Sequence, residues 1–317
     1  CIVIDLKKTC DSMSALLSYI LALTNTARFS AGSRFKSIQV SKIRKMTSGT
    51  DHLTRTADIT RQKVTATAEI QKIEDLSSTV KRLYLHVPDQ DFSFKAGQWI
   101  DMIIPGVEKV GGFSMCSSPN LLVKTRILQL AIKLSDHPPA YWVHTQCQVG
   151  DLVKLKVGGD FYYDPQPHIE NNDLLLLAGG VGINPLYSML QHFMDLHTCR
   201  ENSSGDLSAT KSQGVVLLHS ARNTEELIFK KELRNISHCF DNIIFKLYST
   251  GELVSDTEKQ IKEGRIQLTD IQWALSALDK KKTNVYICGP MPFIETMKSF
   301  CVSSDIQESR IFFEKWW

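Results

Sequence analysis

Between residues 12 and 50 the chain has no aspartate and no glutamate. The same stretch carries Arg28, Arg34, Lys36, Lys42, Arg44 and Lys45 among many serines and threonines. An acid-free, basic, hydroxyl-rich leader has the composition of a mitochondrial presequence and predicts a matrix location. Two alternatives stay open: a secretory signal built on the apolar run 15–23 behind Lys7 and Lys8, and a disordered cytosolic tail. That run is too short to cross a bilayer, and no transmembrane segment is expected. The eight cysteines (Cys1, Cys10, Cys116, Cys147, Cys199, Cys239, Cys288 and Cys301) include no C-x-x-C pair. Zinc and iron–sulfur spacings are therefore absent, and the cysteines read as thiols of a reducing compartment. Strong charge is missing too. The net charge is +3, and its basic excess sits mostly in the first fifty residues, which argues against a nucleic-acid footprint on the rest.

What is present is an ordinary globular composition, 43% hydrophobic and 22% charged, over a length that suggests about two domains. From about residue 64 to 161, short alternating runs at 64–70, 80–87, 99–104, 127–132 and 152–157 read as strands separated by turns. They predict an antiparallel barrel or sandwich of about five or six strands. From residue 173 the rhythm changes. Apolar runs at 174–178, 215–220, 243–248, 285–288 and 311–313 alternate with helical segments, of which 225–234 and 292–301 are the clearest. This is the pattern of a doubly wound α/β domain with about five parallel strands. The polar stretch 200–213 reads as a surface loop. The division expected is a leader over 1–60, a barrel over 61–168 and an α/β domain over 169–317.

The most informative stretch is 174–190, LLLLAGGVGINPLYSML. A fully apolar run of this kind is a strand buried on both faces, hence part of a parallel sheet. Gly179, Gly180 and Gly182 permit a sharp turn and a close approach by a ligand. Asn184 is placed to cap a helix whose first residue would be Pro185. Strand, glycine turn and helix N-terminus together make a seat for a nucleotide diphosphate, formed by Gly179, Gly180, Val181, Gly182, Ile183 and Asn184. The sequence is not G-x-G-x-x-G, and a purely structural tight turn is the alternative.

Four blocks in this order resemble the ferredoxin–NADP reductase superfamily over residues 64–317. They are GQWI at 97–100, GGFSMCSSP at 111–119, GGVGINP at 179–185 and CGP at 288–290. The resemblance implies a flavin-binding barrel followed by an NAD(P)-binding domain, and hydride transfer from nicotinamide through flavin to a separate electron acceptor. By position it puts Phe113 against the flavin ring and Ser114 at the ring's reactive edge. It puts Cys288 beside the nicotinamide, Glu314 as an acid at the ring edge and Trp316 as the terminal aromatic over the flavin. Barrel-core packing for Phe113, a small buried thiol for Cys288 and tail packing for Trp316 are the alternatives.

Two departures weaken the flavin side. The family's phosphate-clamping arginine is Gly111 here, and its G-x-x-S helix start is His137-Pro138-Pro139-Ala140. Two prolines remove two N–H donors, and a lost charged clamp removes about 1.5–3 kcal/mol per hydrogen bond. FAD and FMN both stay open as the flavin, with restoration of the clamp by Gly111→Arg expected to tighten either. For the nicotinamide cofactor, Ser249 and Thr250 stand where NADP-using relatives carry Ser-Arg, so NAD is favoured. Arg222 keeps NADP open. The rival to an enzyme is a nucleotide-binding sensor or partner-binding module that has lost its flavin.

Overall fold

A computed structural model describes residues 51–165, 172–201, 213–251, 258 and 260–315. The leader between 12 and 50, the loop 202–212 and Trp316 lie outside the described residues.

The first sheet contains β1 (Ala66–Asp75), β2 (Val80–His86), β3 (Trp99–Ile103), β4 (Gly111–Ser114), β5 (Ile127–Lys133) and β6 (Leu152–Gly158). Their order is β4-β3-β6-β1-β2-β5, antiparallel wherever strands pair. The two edges meet through an antiparallel bridge between Met115 and Leu130 and a 2.9 Å hydrogen bond from Cys116 N to Gln129 O, which closes the barrel. Alternation explains its core. Ala66, Ala68 and Ile70 of β1 point inward with Leu83, Leu85, Ile100, Met102, Leu128, Leu130, Leu155 and Val157. Two helices sit on the barrel, α2 (Pro119–Thr125) and α3 (Pro138–Thr145), after a short N-terminal turn of helix, α1 (His52–Arg55). Ser118 caps α2 by accepting from Leu121 N, so its hydroxyl does ordinary helix-start work.

The second sheet is parallel throughout, in the order β10-β9-β8-β7-β11-β12. Its strands are β7 (Leu174–Gly179), β8 (Val215–Ala221), β9 (Ile243–Ser249), β10 (Ile261–Glu263), β11 (Asn284–Gly289) and β12 (Ile311–Lys315). Its helices are α4 (Ile183–Glu201), α5 (Lys230–Cys239), α6 (Leu268–Ser276) and α7 (Met291–Ser303). Alternate leucines of β7 serve opposite layers. Leu174 and Leu176 pack with Leu186, Leu190 and Phe193 of α4, while Leu175 and Leu177 pack with Ile271 of α6 and Ile294 and Met297 of α7. The barrel followed by a doubly wound α/β layer is the fold expected from sequence. The three-residue β10 was not expected.

Two local expectations are corrected. Asn184 is the second residue of α4 rather than its cap, and Pro185 the third, because a 3-10 turn over Gly180–Gly182 already starts the helical winding. Asn184 Nδ2 instead donates to Ala131 O of the barrel at 2.7 Å. It opens a stripe on α4 that continues with Ser188 on Ser117 O, Gln191 on Cys116 O and Asp195 on Asn120, a helical spacing that docks α4 on the barrel. The helix expected over 225–234 runs from Lys230 to Cys239, since Phe229 takes a left-handed conformation (φ 64°) just before it. Within residues 51–60, His52 Nε2 lies 2.9 Å from Asp101 Oδ1 of β3, so this stretch lies against the barrel.

Candidate functional site

In the parallel sheet the chain leaves β7 towards β8 and leaves its neighbour β11 towards β12, in opposite directions, so the ends of these neighbours form the crevice where α/β sheets take ligands. Glycines let them approach: a Cβ on Gly289 would sit 3.1 Å from Gly179 Cα, and one on Gly182 would run into the Cys288 carbonyl. Gly180 differs. Its φ is +56° and nothing lies within 4 Å of where its Cβ would be. Of the expected seat, then, Gly180 faces open space at the start of the helical winding. Gly179, Gly182, Ile183 and Asn184 are engaged in packing, and Val181 packs against the core beside α4.

A residue that motif reading did not single out shapes this turn. His219 of β8 is fully buried, and its Nε2 lies 3.0 Å from Gly180 O. Burial holds its pKa down to about 4, so the neutral ring donates to that carbonyl. A titratable residue inside the buried run VVLLHSA was the available signal.

Ser114, Cys288 and Glu314 lie together where the barrel meets the parallel sheet. Cys288 of β11 and Glu314 of β12 are register partners, and Ser114 Oγ at the end of β4 donates to Glu314 Oε2 at 3.5 Å. Burial, with Asp160 adding repulsion, pushes the Glu314 carboxyl up to about 8, so it is protonated at neutral pH. A cavity of about 240 Å³ opens on this carboxyl, with Trp99, Phe161, Met291 and Phe313 among its walls. Arg55, Thr56 and Ile59 close its other side.

The flavin cradle implied by the resemblance is filled by the chain itself. Phe113 packs with the barrel core, and a Cβ on Gly111 would collide with the Phe113 ring and with Pro139. A Cβ on Gly112 would collide with the His52 ring. The space in which an arginine at 111 would act is thus taken, and the expectation that Gly111→Arg would restore a clamp is withdrawn. Pro138 and Pro139 occupy the first two positions of α3, whose cap residue His137 makes no side-chain capping bond. The residues present do not fit a flavin diphosphate.

On the nucleotide side, Thr250 Oγ1 is committed to Ala221 O at 3.1 Å, while Arg222 is exposed. No cluster of candidate metal ligands occurs among the described residues, and none of their helices is long and apolar enough to cross a membrane.

The oxidoreductase NAD-binding domain model matches residues 176–299, from within β7 to within α7. Oxidoreductase NAD-binding domain-containing protein 1 of Bos taurus is 44% identical over 91% of this chain and 92% of its own length. The protein of the same name from Danio rerio is 46% identical over 84% of this chain and 98% of its own. Among solved structures, the fold is shared with the Amycolatopsis cytochrome P450 reductase GcoB (TM-score 0.65, 18% identity, 81% of this chain, 71% of that one). It is shared also with a ferredoxin NADP+ reductase from Neisseria gonorrhoeae with bound FAD and NADP (TM-score 0.62, 19% identity, 80% and 99%).

Proposed function

Starting from the fact that the chain belongs to the family of oxidoreductase NAD-binding domain-containing protein 1, we propose that it is an NAD(P)H-dependent oxidoreductase with its reacting edge at Ser114, Cys288 and Glu314. The observation that carries this reading is the half-buried, protonated Glu314 beside Ser114, in register with Cys288 at the crevice of the parallel sheet. The turn at Gly180 seats the pyrophosphate against the first N–H groups of the helical winding. Cys288, small and buried, lets the nicotinamide lie against the strand end. A nicotinamide bound there would supply a hydride to a separate acceptor, while Glu314 would supply the proton and regain one from solvent through the cavity. A relay through resident flavin is not carried forward, because the cradle does not fit it. NAD is the preferred cofactor, since no arginine follows Ser249, and Arg222 is the residue through which NADP would be accepted. The acid-free leader over 12–50 supports import into the mitochondrial matrix. The frame that goes with this function keeps the boundary near residue 168 and joins residues 51–60 to the barrel.

A calorimetric NADH titration, followed by NADH consumption with a quinone, which takes up a hydride and a proton, tests the reading. Turnover should fall as pH rises through about 8, where Glu314 loses its proton, and Glu314→Gln should slow turnover and remove that limb while NADH affinity holds. Binding without turnover by any acceptor would favour the second reading, a nucleotide-binding module, which the filled flavin cradle supports.

A further inference from the structure

We propose that residues 51–61 form a built-in strap that takes the place of the flavin on the barrel, so that the protein holds no flavin dinucleotide. The strap is anchored at a single buried carboxylate. Asp101 of β3 is 3% exposed and is gripped from two sides, by His52 Nε2 at 2.9 Å and by Arg61 Nε at 2.7 Å. Burial alone would raise the Asp101 pKa, but these two partners bring it below the usual carboxylate value, so the anchor is ionic. Arg61 also ties the strap to itself, donating to Thr56 O at 2.7 Å and Ile59 O at 3.0 Å.

The anchored residues stand on the surfaces a flavin would need. The His52 ring meets Trp99 edge-on at 4.9 Å and covers Gly112, and the Arg61 guanidinium lies 5.0 Å from the Trp99 ring centre. At the phosphate end, Asp51 lies 3.7 Å from Lys109. His137, at the start of α3, has its pKa held below the ordinary histidine value by its own burial, with Asp51, His52, Arg55 and Lys109 the charged groups around it. A carboxylate is thus already installed where an incoming phosphate would seek positive charge, and one of its oxygens is buried without a hydrogen-bond partner. Displacing the strap would strand Asp101 without its hydrogen-bond partners and without the Arg61 charge, a large penalty for a buried carboxylate.

The inference concerns the barrel and rests on the reading of its β4 face as the relatives' flavin seat, not on turnover. The full chain is purified, its visible spectrum recorded and flavin released by heat assayed, and FAD, FMN and riboflavin are then titrated by fluorescence quenching. The expected result is a colourless protein with no saturable quenching by FAD or FMN. Hydrogen exchange supplies the second measurement: amides of 51–61 should be protected, and Asp101→Asn should speed their exchange at least tenfold while the β7–α4 turn and NADH affinity stay as they were. His52→Ala and Arg61→Ala, each removing one anchor, cover the case in which Asp101→Asn fails to fold. Stoichiometric flavin in the wild-type protein, or unprotected amides over 51–61, would overturn the proposal. NADH affinity is read separately, so loss of the nucleotide reading and loss of the strap are distinct outcomes.

Discussion

Two glycine-rich segments, 179–182 and 111–112, look alike in sequence and differ in space. After β7, the site of a missing side chain at Gly180 opens on empty space, and the local carbonyl is pinned from behind by His219. On β4, the sites of the missing side chains at Gly111 and Gly112 are filled by Phe113, Pro139 and His52. A glycine in a ligand-binding motif therefore marks room for a ligand only where no other part of the chain moves into that room. The nucleotide seat meets this condition at one residue; the flavin seat has been taken over by the chain's own side chains.

The largest expected effect breaks the assumption that all seat glycines serve the ligand. If every seat glycine faced the ligand, valine at Gly182 would cost nucleotide affinity selectively. The structure puts the Cys288 carbonyl, which is backbone and cannot step aside, in the way of any Cβ there. Gly182→Val should therefore lower stability by about 3 kcal/mol, the upper range for overpacking, and affinity should fall only as a consequence. Gly180→Ala should cost about 1–2 kcal/mol through its positive φ, with a Cβ projecting into the seat and weakening NADH binding in a folded protein. Thermal melts beside NADH titrations separate the two. A Gly182→Val protein as stable as wild type would show that β7 and β11 are not packed as described.

His219 sharpens the same contrast at intermediate size. Its folded-state pKa of about 4 lies below the ordinary 6.5, so protons bind the unfolded chain more readily. Its contribution to stability is complete above pH 6.5 and is lost as pH falls towards 4, with a ceiling of about 3 kcal/mol. His219→Leu should flatten that acid limb in denaturant titrations. It should also weaken NADH binding about tenfold, near 1.4 kcal/mol, because the Gly180 carbonyl loses its donor. His219→Gln, which can still donate, should recover part of the affinity. Equal NADH affinity in all three proteins would reduce His219 to a core residue.

How much of this was legible depends on how local each determinant is. The strands 174–179 and 215–221 announce themselves because burial on both faces demands uninterrupted apolar residues. The convergence of Ser114, Cys288 and Glu314 was legible through the motif order, since barrel and sheet meet there. The start of α5 was not, because Glu225 and Glu226 are spent on the barrel, at Ser78 N and Lys133 Nζ, each 2.7 Å away. Nothing in β10 exceeds three residues, too short for any period to show. The strap was invisible for a stronger reason. His52 and Arg61 mean little until Asp101 is known to lie between them, 49 and 40 residues along the chain.

The smallest effect concerns the residue whose role changed most. As a cap, Asn184 would have belonged to the nucleotide seat, and its loss would weaken NADH binding at little cost to the fold. Docked on Ala131 O, it belongs to the joint between α4 and the barrel. Asn184→Ala would leave that buried carbonyl unpaired, which costs about 1–3 kcal/mol. The same change also removes Asn184 Oδ1, itself buried without a hydrogen-bond partner, so the net loss should sit near the bottom of that range, about 1 kcal/mol. A small drop in melting temperature at unchanged NADH affinity is the expected result. Weakened affinity at an unchanged melting temperature would return Asn184 to the seat and make the glycine turn a larger ligand surface than Gly180 alone provides.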